Sequence, residues 1–309
     1  MSAFSATCRR IEAPDVRIKD RRTLTAHDVV REDLSQRDAR QYISKSFVAS
    51  ADVCGSKAWH SLWHPMPWTP PEKVTFGSAV DAGVEVIVKE LAAGHPPDVV
   101  AAYGAAMKRV ETEENAPDIN EVRIALEKFA DWSVVHEVVW PGTVTQPHLR
   151  LELPGIGEVD AHPDLLLPQG FEEPRVGTIV DVKTAARPKP ANAAATSYTE
   201  LGLYALLVLA SGAGERPMSV AYWTYVRTQK PYWQEVVAPV TDHLLTVARN
   251  RVAAVARAIE ADAILNDGVA EPRNSTFPNP PKYGCSDCPY HPSAGGPCEI
   301  AEEALDAAA

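Results

Sequence analysis

An apolar run from Gly177 to Thr184, GTIVDVKT, delivers Asp181, one intervening valine and then Lys183. Residues two apart on a strand point the same way, so Asp181 and Lys183 share a face with Ile179, while Val180 and Val182 face the other side. A second apolar run, Leu165-Leu166-Leu167, follows His162-Pro163-Asp164 and leads into the turn-rich Pro168-Gln169-Gly170. Paired as a hairpin with a long loop, the two runs bring Asp164 and Asp181 to one end. Two carboxylates converging there suit magnesium or manganese, hard cations that prefer oxygen ligands and keep waters for a phosphate to displace. A neighbouring lysine can orient or polarise an attacking water and offset charge developing on the phosphoryl group. An Asp-x-Lys pair alone describes many solvated ion pairs at strand ends, so the elements around it must decide.

Those elements come in a readable order. Ser44-Lys45-Ser46-Phe47 starts like a capped helix, with Phe47, Val48, Ala51 and Cys54 spaced for one face and Cys54 near its end. Trp59, Trp63 and Trp68, among Pro65, Pro67, Pro70 and Pro71, form a connector that cannot be one continuous helix. Phe76-Gly77-Ser78 opens a helix closed by Gly94, its core face Val80, Val84, Ile87, Val88 and Leu91, with Asp81 and Glu85 on another face. Two more helices follow, from Pro96-Pro97-Asp98 to about Glu113 and from Asp118 to Val135.

After Pro141-Gly142 the period becomes that of strands, first His148 to Leu153, then the hairpin bearing Asp164 and Asp181, then the basic turn Arg187-Pro188-Lys189-Pro190. Ser197 to about Ala210 reads as a helix on which Glu200 and Tyr204 lie one turn apart. Two strands, Met218 to Arg227 and Tyr232 to Val240, flank a turn carrying Lys230, and an alanine-rich helix runs from about Thr241 to Ala263. This is an α/β pattern: a central mixed β-sheet flanked by helices. Residues 1–40 read as an arm with one short helix near Ala26 to Gln41, and 41–309 as one domain. Within it, 41–140 is helical, 141–265 holds the sheet, and 266–309 is a cysteine-rich closure.

The bulk numbers narrow the classes. At 309 residues and 45% hydrophobic content the chain can bury a full core. No run approaches the ~18 apolar residues of a membrane span, and the first residues lack a signal-peptide core, so no membrane partner and a cytoplasmic location are expected. A net charge of -11 argues against nucleic-acid binding by bulk electrostatics, though not against a local basic groove. Of the five cysteines, Cys285, Cys288 and Cys298 lie in a proline- and glycine-rich segment that needs something to tie it down. Thiolates suit an iron–sulfur cluster or structural zinc, and spacing leaves both open.

Taken together, the helix ending near Cys54, the FGS helix, Pro163-Asp164, Asp181-Val182-Lys183, the helix with Tyr204 and the terminal CxxC…C resemble the RecB-like PD-(D/E)xK nucleases. The closer likeness is to their iron–sulfur branch, with the CRISPR-associated and phage exonucleases and the AddB nuclease domain. It covers about Ser44 to Cys298 and implies a restriction-endonuclease-like core. It further implies Asp164 and Asp181 as metal ligands, the Val182 carbonyl as a further one, and Lys183 as the catalytic lysine. Asp160 is a weaker candidate for the first acid. Where the family commonly has a histidine ligand in a G-[ST]-x-x-H helix start, this chain has Asp81; where it has Gln-x-x-x-Tyr, this chain has Glu200 and Tyr204. The resemblance assigns Cys54, Cys285, Cys288 and Cys298 to a structural 4Fe-4S cluster, with structural zinc as the alternative.

The expectation is a magnesium- or manganese-dependent DNA exonuclease in recombination, repair or processing, phage systems included. Its substrate would be DNA with free ends or single strands, contacted by Arg187, Lys189, Arg227 and Lys230, and a recombination protein is a possible partner. The competing expectation, motivated by Asp81 and Glu200, is a nuclease-derived DNA-binding or assembly subunit without catalysis.

Overall fold

The computed structural model describes residues 43–63, 69–170 and 173–265, together with Cys288 and Tyr290. The expected arm before residue 41, and most of the cysteine-rich closure, lie outside the described residues. In chain order the elements are β1 (Ile43–Ser44), α1 (Lys45–Val53), α2 (Gly55–Trp63), α3 (Glu72–Ala92), α4 (Val99–Val110), α5 (Ile119–Val135), β2 (Val144–Thr145), β3 (Leu149–Leu153) and β4 (Gly157–Ala161). Then come β5 (Leu165–Gly170), β6 (Glu173–Ala185), α6 (Leu201–Ala210), β7 (Gly214–Val226), β8 (Tyr232–Pro239) and α7 (Asp242–Leu265).

The main sheet has the order β2-β5-β6-β7-β8 and is mixed, because β6 and β7 run parallel while the other pairs are antiparallel. A parallel pair needs a crossover, and α6 supplies it. The alternation read from the sequence holds on β6. Val180 and Val182 pack with Leu165, Trp223 and Trp233 against a helical layer of α3, α4 and α5, whereas Ile179 packs with Val220 and Val236 against α6 and α7. The sheet is therefore covered on both faces. A smaller sheet, β1-β4-β3, lies on the α6 side, with Leu149, Leu153, Val159 and Ala161 in that core.

Several boundaries follow the local chemistry. Ser44 caps α1 by accepting from the Phe47 N–H at 3.2 Å, Asp98 caps α4 through Ala101, and Asp118 caps α5 through Asn120. Gly94, at φ +78°, terminates α3 as expected.

Other expectations are corrected. α3 begins at Glu72, just after Pro71, because Thr75 and Phe76 are already buried in its core face and Pro71, lacking an N–H, cannot continue the helix inward from an earlier turn. Trp59 and Trp63 lie on the helix α2 rather than in a loop, the prolines coming after it; Trp68 is outside the described residues. The helix expected from Ser197 starts at Leu201, after Glu200; Ser197 lies in the turn before it, its Oγ accepting from the Leu201 N–H at 3.2 Å. The β5–β6 connection is short rather than long, and its irregularity is a bulge at Pro168, which has no N–H for the ladder. Gly157 to Ala161 forms a strand of its own, so the polar and apolar residues there belong to a second sheet.

Candidate active site

The site forms where β5 leaves the main sheet. Leu165 still pairs with Val180, but one residue earlier the ladder stops, and the Val182 N–H donates to Asp164 Oδ2 at 2.6 Å. The carboxylate thus takes up the backbone donor that a longer β5 would have paired, which fixes Asp164 beside the open edge of β6. Among the described strands none pairs with that edge beyond Val180. Asp81 reaches the same place from α3. Gly77, one turn before it, lets this helix approach β6 closely: a Cβ there would sit 3.3 Å from Thr184 Oγ1.

Gln146 ties the two acids together. Its Nε2 donates to Asp81 Oδ2 at 3.1 Å and to Asp164 Oδ1 at 3.3 Å, while its backbone N–H donates to the Asp164 carbonyl at 2.7 Å. It adopts φ +47°, unusual for a side chain of this size. On the other side, Lys183 Nζ lies 2.5 Å from Asp181 Oδ2 and 3.4 Å from Glu200 Oε1. Glu200 also meets Lys45 Nζ at 3.4 Å and accepts from Tyr222 Oη at 2.8 Å, and Tyr204 Oη donates to Asp181 Oδ1 at 3.4 Å. The loop bearing Glu200 is anchored by Thr199, which donates to Asp52, while Arg251 donates to both.

This crowding shapes the protonation states. Burial and the nearby Asp181 and Glu85 raise Asp81 from the ordinary 3.8 to about 6. Burial, Asp181 and Asp81 push Asp164 up as well, against the opposing pull of Lys183 and the Val182 N–H. For Lys183 burial works against charge, yet Asp181, Glu200 and Asp164 outweigh it and hold the ammonium above its usual range. Burial likewise opposes the Glu200 carboxylate, but Lys183, Lys45 and Tyr222 bring it down to about 2. Burial and the surrounding carboxylates keep Tyr204 a neutral phenol. Carboxylates held together against their mutual repulsion are the donor set that a hard divalent cation fits.

The structure therefore brings together Asp81, Asp164, Asp181, Val182, Lys183, Glu200 and Tyr204, all singled out by sequence. Gln146 and Lys45 were missed; the left-handed backbone of Gln146 has no sequence signal, and Lys45 read as an ordinary first-turn residue. Asp160 stands apart on β4 with His148, His162 and Arg150. Of the basic residues, Arg187 and Lys230 are exposed, and Lys189 lies 4.0 Å over the Tyr222 ring.

Arg227, the fourth expected DNA contact, is engaged within the protein. Its guanidinium bonds Glu121 twice at 2.7 Å, meets Glu72 at 3.3 Å and stacks 4.1 Å over Phe76, because both acids sit in the first turns of α5 and α3. Cys285 and Cys298 lie outside the described residues. Cys54 sits between α1 and α2, accepting from the Lys57 N–H at 3.4 Å. Six residues along from Cys54, His60 stacks on Tyr290 with ring centroids 5.2 Å apart, so Tyr290 packs on α2.

Residues 57–293 match the model of the PD-(D/E)XK nuclease superfamily. The chain belongs to that superfamily. Among solved structures, one described as a "Putative exonuclease" from Eubacterium rectale aligns with a TM-score of 0.50 and 15% identity, covering 74% of this chain and 81% of that one. A second, of SSO0001, aligns with a TM-score of 0.31 and 12% identity, covering 74% of this chain and 82% of that one. No match was found among curated proteins. The restriction-endonuclease-like α/β fold agrees with the expected class, and no described helix is long and apolar enough to cross a membrane.

Proposed function

We propose that this chain is a divalent-metal-dependent DNA exonuclease, acting on free ends or single strands, whose Cys54, Cys285, Cys288 and Cys298 hold a structural 4Fe-4S cluster. The observation that carries the catalytic reading is the convergence of Asp81, Asp164 and Asp181 with Lys183 at the open edge of β6. These carboxylates, with the Val182 carbonyl, would hold magnesium or manganese. Such an ion supplies Lewis-acid polarisation of phosphate and water.

The protein's own groups do the rest. Lys183 stays an ammonium, so it is a donor rather than a base: it orients water and offsets charge developing on the phosphate oxygens. Glu200 and Asp181 hold that ammonium in place, and the Tyr204 hydroxyl fixes the Asp181 carboxylate. Arg187, Lys189 and Lys230 contact the DNA backbone, whereas Arg227 anchors α3 and α5. Docking of Tyr290 on α2 supports a clasp between the Cys54 and Cys288 segments.

The test is digestion of end-labelled linear single-stranded and duplex DNA, beside a closed circle, with magnesium or manganese and an Asp181→Ala control. Metal-dependent loss of linear DNA that spares the circle and disappears in the variant is expected. Tight DNA binding without cutting, by metal-replete protein with its cluster intact, would instead favour an assembly subunit. Iron with visible absorption in anaerobically purified protein supports the cluster; stoichiometric zinc in colourless protein rejects it.

A further inference from the structure

On the polar face of the small sheet, β3 and β4 set side chains opposite one another in register. Arg150 is directly across from Asp160, and Leu149 pairs with Ala161, so His148 and His162 form the next cross-strand couple beyond. The two imidazoles stack with centroids 4.3 Å apart and 13° between planes. Both turn Nε2 toward the same buried carboxylate: His148 contacts Asp160 Oδ1, and His162 lies 3.5 Å from Oδ2. One ligating atom from each of the three residues falls within 4.8 Å of the others. None of this is used by the nuclease site: two ring nitrogens converge on the buried Asp160 carboxylate beside the Arg150 guanidinium.

From this geometry we propose that His148, Asp160 and His162 form a second metal site, selective for a borderline divalent transition metal of the zinc class. Two nitrogens and one oxygen favour such ions over magnesium, and a set of three leaves at least one coordination position for water. Each imidazole would bind the ion through an unprotonated Nε2 and keep its ring proton on Nδ1.

Arg150 is the obvious competitor, its Nε 3.0 Å from Asp160 Oδ1. It already has a second partner in Glu158 at 3.3 Å, toward which it can turn without losing its charge pairing. Asp160 sits on the paired strands, and the two histidines flank the end of the same ladder, each one residue beyond the Leu149–Ala161 pair. Placement gives the site a purpose: His148 follows Gln146 by two residues and His162 precedes Asp164 by two. An ion there would pin the two segments that deliver Gln146 and Asp164 to the carboxylate cluster.

The experiment is a cobalt(II) titration of the full chain carrying Asp181→Ala, with its cysteine site loaded, compared with the same chain also carrying His148→Ala and His162→Ala. One equivalent of cobalt with visible d–d absorption but no thiolate charge-transfer band, displaced by zinc, is expected in the parent. The histidine variant should lose that equivalent, and zinc at 100-fold its dissociation constant should raise the parent's Tm by roughly 5 °C but not the variant's. If the double variant does not fold, His162→Gln should weaken cobalt at least about tenfold. Absence of the nitrogen–oxygen type spectrum in the parent, or its persistence unchanged in the histidine variants, would overturn the site.

Discussion

The carboxylate cluster should make the metal-free protein less stable than a variant with one charge removed. Asp81 is the residue to change, because Asp81→Asn keeps the shape and the oxygen that accepts from Gln146. Moving the folded-state pKa from 3.8 to about 6 costs, at about 1.4 kcal/mol per pKa unit, roughly 3 kcal/mol at neutral pH. Part of that repulsion is shared with Asp164, so the expected gain for Asp81→Asn is about 1–3 kcal/mol. The sign depends on pH. Above about 6 both folded and unfolded chains carry the ionised Asp81, and the folded one suffers for it. As pH falls from about 6 toward 3.8 the folded chain takes up the proton first, and the penalty disappears. Urea unfolding with a chelator, from pH 4.5 to 8, should show the variant furthest ahead at high pH and its lead shrinking toward the acid end. Magnesium or manganese should narrow or reverse the order, because the parent gains more from binding. A variant that is equal or weaker at pH 8 without metal would refute this account of the site.

Lys183→Ala should abolish cutting and cost about 3–5 kcal/mol, since it strands the buried Asp181 carboxylate; chemical denaturation beside a nuclease assay checks both. Gln146→Ala should weaken metal binding measured by calorimetry and lower metal-free stability by about 1–2 kcal/mol, through loss of the amide that bridges Asp81 and Asp164. Glu200 contributes stability above its unfolded value of 4.5 that is lost as pH falls toward about 2. Acid unfolding of Glu200→Gln should therefore be shallower than that of the parent through this window. Cys54→Ser or Cys288→Ser should lower the thermal midpoint of the cluster-loaded protein and leave the apo protein nearly unchanged.

The sequence made the charged pair on β6 legible because strand alternation is a strict period of two: Asp181 and Lys183 had to share a face whatever surrounded them. Asp164 was legible for a related reason, an acid placed immediately before an apolar strand. Helix ends with Asp98, Asp118 and Gly94 were readable from capping chemistry. What escaped depends on contacts between distant segments. Lys45 is close to Glu200 only after α1 packs beside the α6 crossover, and Gln146 acquires its role from a left-handed backbone beside Asp164. The ion pairs of Arg227 were not legible because Glu72 and Glu121 are far away in sequence. The division of the strands into two sheets was hidden as well, since β3 and β4 alternate as an ordinary hairpin would.

The origin of the site's parts bears on how safely such a protein can be made. Asp81 comes from α3, Gln146 and Asp164 from the segments flanking the small sheet, Asp181 and Lys183 from β6, and Glu200 from the crossover that must close before β7 can pair. No single hairpin or helix carries the set, and its members meet through contacts of high sequence separation, which form late. A nascent or partly unfolded chain therefore lacks the assembled cluster, and the capacity to cut arises together with the completed fold.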